Sequence, residues 1–311
     1  MFELTEANYN FDPVKFNVDE SLGDHIMEPF PNKSFFWVIC GKPGSGKTSL
    51  LINTLISKGP NRVYRKVFDK ILLVMPSNSR ASLKNSPFED LPDDQQFEKF
   101  DENVVNRIMA IRDEFGGKKE EPIKTEFEHI LQQQPPIIMA PPTKKPPAVG
   151  SGPQAMLKHT RLKKNRNMLL ILDDITAYLK DDPSLLIELT TNRRHLKLSI
   201  CCLVQFLRSI PRPVRFQITD ITIFKPANEL DTKIVEEEFI QMPSNDFKTL
   251  KRFVWQNKHD YLFISKDTET YYKNLNRIKF KQKDDILENI EDAEESNNKK
   301  VKTKTKNSKQ K

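Results

Sequence analysis

Cysteine is scarce, with three in 311 residues, at positions 40, 201 and 202. All three sit in apolar runs rather than at the spacings of a disulfide framework or a metal site. They read as small core hydrophobes in a reducing compartment. Long hydrophobic runs are missing as well: no stretch approaches the roughly 18 apolar residues of a membrane span. The opening residues Met1-Phe-Glu-Leu-Thr-Glu6 lack the basic then apolar layout of a secretion signal. Together these absences lead to the expectation of a cytosolic protein. No internal repeat stands out.

Charged residues make up 30% of the chain, and mean hydropathy is −0.61. The length suffices for one large α/β domain or two modest ones. A net charge of +7 and a pI near 9.1 fit a polyanionic partner, although positive charge also serves solubility. Residues 116–167 are rich in Pro, Gln and Lys and read as a flexible insertion. From about Gln282 the chain is first acidic (Asp284, Asp285, Glu288, Glu291, Asp292, Glu294, Glu295) and then Lys-rich to Lys311. That composition predicts a disordered tail.

Between these segments, short apolar runs alternate with helical patterns. Strands are predicted at 35–40, 70–75, 168–172, 198–204 and 219–224, each nearly continuously apolar, as befits strands covered on both faces. Helices are expected at 49–56, after Asp182 with Pro183 at its first position, at 229–239 and at 244–255; a hairpin follows with arms 261–265 and 270–273. Alternation of this kind implies an α/β fold with a mostly parallel central sheet flanked by helices.

Gly41-Lys42-Pro43-Gly44-Ser45-Gly46-Lys47-Thr48 follows the first strand and leads into a helix beginning at Ser49. This G-x-x-x-x-G-K-T spacing is a phosphate cradle. Its glycines let backbone N–H groups curl around a β-phosphate, Lys47 reaches the β/γ oxygens, and the Thr48 hydroxyl ligates Mg²⁺. The helix start adds a positive dipole end facing the anion.

Leu169-Leu-Ile-Leu-Asp173-Asp174 reads as a Walker B strand end. There Asp173 is the metal-positioning carboxylate and Asp174 a candidate to orient or deprotonate the attacking water. A capping role for either acid is the competing explanation. Gln205 ends the 198–204 strand, where ligands of open α/β sheets bind. Arg193, Arg194 and His195 close the preceding helix; Arg194 is the candidate for an arginine finger acting on a neighbouring subunit.

With those residues in view, the chain resembles the genome-packaging ATPases of large nucleocytoplasmic DNA viruses, of the poxvirus packaging type. These form a branch of the FtsK/HerA class of P-loop NTPases. The likeness rests on the 41–48 loop, Leu170-Ile-Leu-Asp-Asp-Ile175, Asn192-Arg-Arg-His195 with Leu198 to Gln205, Ile210-Pro211 with Arg215, and Ile221-Thr-Ile-Phe224. It implies a RecA-like P-loop domain over residues 30–280, with an N-terminal extension (1–29) and the tail (281–311). ATP and Mg²⁺ would be the cofactors. By the same resemblance, residues 41–49 bind nucleotide, Thr48 and Asp173 hold the metal, Asp174 is the base, Gln205 senses the γ-phosphate and Arg194 is the trans-acting finger. The wider class commonly has Glu where this chain has Asp174, so a side chain one methylene shorter must reach the water.

The expected activity is ATP-driven translocation of double-stranded DNA into a preformed capsid by a homo-oligomeric ring, with capsid or membrane-associated portal proteins as partners. The expected location is the viral factory in the host cytoplasm, with association with the virion. DNA-facing candidates are Lys163, Lys164, Arg166, Arg208, Arg212 and Arg215, which would contact phosphates irrespective of sequence. Two other classes stay open at this stage: a monomeric phosphotransferase acting on a small nucleotide, and a nucleotide-dependent scaffold with slow hydrolysis.

Overall fold

In strand β1 (Phe36–Cys40) every residue is apolar and buried. Successive side chains of a strand point to opposite faces, so a continuous apolar run requires cover on both. Phe36, Val38 and Cys40 join one core cluster with Leu170, Ile200 and Ile221, while Trp37 and Ile39 join a second with Ile171, Cys201 and Leu203. The Trp37 indole N–H donates to Thr222 Oγ1 at 2.9 Å, which satisfies the ring's one polar atom within the core.

The computed structural model describes residues 20–81, 86–116, 166–175, 183–240 and 242–280. Nearly all of the Pro-rich insertion, the expected cap Asp182 and the charged tail lie outside them. After β1 come α1 (Lys47–Ile56), β2 (Lys70–Val74), α2 (Ser77–Ala81), β3 (Gln96–Phe97), α3 (Glu102–Gly116) and β4 (Met168–Asp173). They are followed by α4 (Ser184–Asn192), β5 (Leu198–Val204), α5 (Arg212–Phe216), β6 (Asp220–Phe224) and α6 (Glu229–Ile234). The last elements are α7 (Ser244–Val254), β7 (Tyr261–Ser265), β8 (Thr270–Lys273) and β9 (Asn276–Arg277).

The strands form one sheet in the order β3-β2-β4-β5-β1-β6-β7-β8-β9. Pairing is parallel from β3 to β6 and antiparallel from β6 to β9. From β1 the chain departs toward β2 on one side, and it later reaches β6 on the other. That reversal opens a crevice at the carboxyl ends of the central strands, the usual ligand position in such sheets. No helix among the described residues is long and apolar enough to cross a membrane.

Three local features differ from the sequence reading. Helix α3 was not anticipated: its buried stripe of Val104, Ile108 and Ile111, flanked by the partly buried Val105, Met109 and Phe115, is interspersed with charged and polar residues. Pro183 stands at the N-cap of α4, with φ −80° and ψ −6°, rather than at its first helical position. The helix expected at 229–239 is α-helical only to Ile234 and continues as a π turn over Val235–Phe239. Within the N-terminal extension, Leu22 and Ile26 are buried against the face of the sheet that carries Trp37.

Candidate nucleotide site

Helix α1 begins immediately after Gly46, whose φ of 109° places it in the left-handed region, and no side chain caps it. Its first N–H groups are therefore left for an anion. Gly44, at φ 70°, makes the preceding turn. Gly41 is required for a different reason: a Cβ there would lie 2.7 Å from both Phe224 Cβ and Ser45 Oγ. The loop is tied to the sheet by Gly41 N–H donating to Val204 O at 3.0 Å.

Beside this loop lies a cavity of about 200 Å³ lined by Pro43, Gly44, Lys47, Thr48, Met75, Ser79, Asp173, Asp174, Leu203 and Gln205. The register explains the convergence. Strand β5 pairs with β1 on one side and β4 on the other, so the ends of three adjacent strands deliver the phosphate loop, Gln205 and the two acids to one rim. Lys47 Nζ donates to Gly41 O at 2.8 Å and to Lys42 O at 3.2 Å. Thr48 Oγ1 donates to Asp173 Oδ2 at 3.4 Å, and Gln205 Nε2 to Asp174 Oδ1, also at 3.4 Å. These are long contacts, weaker than an optimal hydrogen bond.

Burial pushes the Asp173 carboxyl up to about 6, against the opposing pull of Lys47 and the Thr48 hydroxyl. Burial also lowers the Lys47 ammonium, which Asp173 partly offsets. For both members of the pair, desolvation outweighs mutual attraction, as expected of charges held out of water without further compensation. Asp174 sits at φ 56°, a left-handed conformation that costs a non-glycine residue energy and clusters at functional positions. Thr48 and Asp173 offer the hard oxygen donors suited to Mg²⁺, which takes few protein ligands and completes its shell with water and phosphate oxygens. Among the described residues, no cluster of three or more His, Cys, Asp or Glu suggests another metal site.

Of the residues singled out in sequence, the cavity gathers Pro43, Gly44, Lys47, Thr48, Asp173, Asp174 and Gln205. Gly41, Lys42, Ser45, Gly46 and Ser49 belong to the loop and helix start framing it without lining it. Arg194 is elsewhere. It lies in the turn between α4 and β5, where its carbonyl accepts from Lys197 N–H. It therefore stands at the amino edge of the sheet, about 20 Å from the cavity by the length of β5. Sequence reasoning missed Met75 and Ser79 in the lining. Their position just beyond β2, at the same carboxyl edge, was the available signal.

One DNA-facing candidate is corrected. Arg215 is buried, its Nε and Nη2 each donating at 2.7 Å to the Glu238 carboxylate and its Nη1 to Ile210 O. A buried guanidinium locked in a bidentate pair is a structural clamp rather than a surface group that meets a phosphate. Arg208 and Arg212 are exposed and lie over the rings of Phe206 and Phe216, at 5.3 Å in both cases. Arg166 is exposed, and Lys163 and Lys164 lie outside the described residues.

No curated protein matches the chain. Among solved structures, the genome packaging NTPase B204 of Sulfolobus turreted icosahedral virus 2, in complex with AMPPCP, is similar at 12% identity and a TM-score of 0.46, covering 80% of this chain and 99% of that one. B204, the DNA-packaging ATPase from Sulfolobus turreted icosahedral virus, is similar at 14% identity and a TM-score of 0.45, covering 77% and 96%. EssC (ATPases 2 and 3) from Geobacillus thermodenitrificans gives 14% identity and a TM-score of 0.43, over 82% of this chain and 42% of that one. The family model described as Poxvirus A32 protein matches residues 153–294. Over that segment, which carries Asp173, Asp174, Arg194 and Gln205, the chain is similar to the Poxvirus A32 proteins.

Proposed function

We propose that this chain is a Mg²⁺-dependent ATPase that drives double-stranded DNA into a preformed capsid as a homo-oligomeric ring in the host cytoplasm, docking on capsid or portal proteins. The observation that carries the reading is the convergence of Lys47, Thr48, Asp173, Asp174 and Gln205 on one cavity, in a chain whose 153–294 segment matches the Poxvirus A32 model.

In this scheme the loop N–H groups of residues 41–49 and Lys47 bind and orient the triphosphate. Thr48 and Asp173 hold Mg²⁺, which when bound neutralises charge on the phosphate oxygens. Asp174 accepts a proton from the attacking water, and Gln205, within reach of the Asp174 carboxylate, positions that water relative to the γ-phosphate. Catalysis of this kind is mostly positioning and electrostatics.

Turnover should rise at least several-fold when double-stranded DNA is added. DNA affinity should drop steeply between about 50 and 200 mM salt, since phosphate contacts release counterions. ATPase assays with and without DNA, combined with a salt titration of binding, check both. Turnover indifferent to DNA, or phosphate transfer to a nucleotide acceptor, would replace the motor reading.

Arg194 cannot serve its own chain's cavity from the opposite edge of the sheet, so its role in the scheme is in trans. Subunits carrying Arg194→Ala and subunits carrying Asp173→Ala should each be inactive alone, yet recover part of the turnover when mixed. Absence of recovery in verified mixed assemblies removes the finger.

A further inference from the structure

The apex of the phosphate loop is held by a residue 214 positions away in sequence. His259 Nδ1 lies 2.9 Å from Ser45 O. A carbonyl can only accept, so the ring nitrogen in this bond carries the proton. The histidine is presented by a short loop between α7 and β7 that is fixed from several directions. The buried Asp260 carboxylate accepts from Asn257 N–H at 2.8 Å, Asn257 Nδ2 at 3.1 Å and Asn274 Nδ2 at 2.7 Å. At the start of the same loop, the Trp255 indole N–H donates to Ile223 O at 3.0 Å in the core.

A peptide unit is planar and trans, so its C=O and N–H point in opposite directions. Fixing Ser45 O on one side therefore fixes the Gly46 N–H on the other. Gly46 is the residue least able to hold that direction by itself, because glycine has no side chain to restrict its backbone and this one sits at φ 109°. His259 and Phe224 are the immediate neighbours of this glycine: a Cβ on Gly46 would be in ordinary contact with His259 Nδ1 at 3.8 Å and the Phe224 ring at 3.7 Å.

We propose that His259 is a positioning residue for the phosphate cradle: by holding the Ser45 carbonyl it aims the Gly46 N–H at the nucleotide's β-phosphate. The proposal rests on the nucleotide-binding reading of the 41–49 loop. It adds that this loop is completed by the α7–β7 connection, so that nucleotide affinity depends on an element far from the motif in sequence. His259 acts through the backbone and is not itself a catalytic residue.

Dissociation constants for ATP, ADP and AMP on the full chain carrying His259→Ala, His259→Asn and His259→Gln test it. The loss of one aligned donor should weaken ATP and ADP about 10-fold in the Ala variant. AMP, which lacks a β-phosphate, should change by less than about 2-fold. Asn places an N–H where Nδ1–H stands and should restore most of the affinity. Gln, whose donor lies one bond further out, should not. The Asn and Gln pair decides the matter if the Ala variant does not fold. Unchanged ATP affinity in folded His259→Ala, an equal loss for AMP, or rescue by Gln as good as by Asn overturns the assignment. Failure of the wild-type chain to bind ATP at all would instead sink the nucleotide reading, and the proposal with it.

Discussion

Lys47→Ala is expected to lower ATP turnover by at least about 100-fold, the scale on which removing one preorganised charge-stabilising donor slows a reaction. Saturating ATP, at about 100 times its dissociation constant, should stabilise the wild-type fold by about 2.7 kcal/mol, and the variant should lose most of that protection. The fold itself should survive. Lys47 is a partly buried amine whose charge burial disfavours, and its two contacts are to carbonyls of the loop it belongs to. Turnover measured beside thermal melts with and without ATP separates the effects; undiminished turnover in a folded variant would dismantle the whole site.

Asp173→Asn should abolish turnover and, in the absence of nucleotide, raise stability at neutral pH. The sign follows from the carboxyl being pushed up to about 6 from its ordinary value of 3.8. A folded value above the unfolded one means that the contribution to stability is fully present below about pH 4 and is lost as pH rises through 6. Keeping Asp173 ionised at pH 7.5 thus costs the ligand-free protein up to about 3 kcal/mol. The Asn variant escapes that cost, which corresponds to a melting temperature higher by roughly 2–4 °C per kcal/mol for a domain of this size. At pH 4 the two should melt alike.

A second carboxylate follows the same direction. Asp220, at the start of β6, is pushed up to about 7, chiefly by burial, so the Asn variant should still lose stability as pH rises through 7. Melts across pH 4 to 8 read both groups; a wild type that gains stability over that range would contradict the assignment.

Much of the sheet was legible because its central strands are largely apolar. β5 spans Leu198–Val204 as read from sequence, and the 261–265 and 270–273 hairpin arms are strands β7 and β8. Buried parallel strands leave this mark because both faces exclude water. Helix α3 was not legible, since Val104, Ile108 and Ile111 are diluted by charged neighbours that raise the polarity of the whole segment. Arg215 was misread for a related reason. An arginine in a basic stretch looks like a phosphate contact until Glu238, 23 residues on, closes around it.

The sequence alone determined which atoms this protein has for gripping a triphosphate: a loop whose glycines permit its turn, a lysine, a hydroxyl, and acids at the end of an apolar run. Those requirements are local, set by backbone freedom and side-chain chemistry over a few residues. Tertiary structure decided which of those groups meet. Insertion of β5 between β1 and β4 brings Gln205 beside Asp174, and pairing of β2 with β4 adds Met75 and Ser79 to the cavity. The same sheet leaves Arg194 at the opposite edge and sets His259 against Ser45. Strand order and long-range hydrogen bonds depend on pairings among segments up to hundreds of residues apart, and no local pattern encodes them.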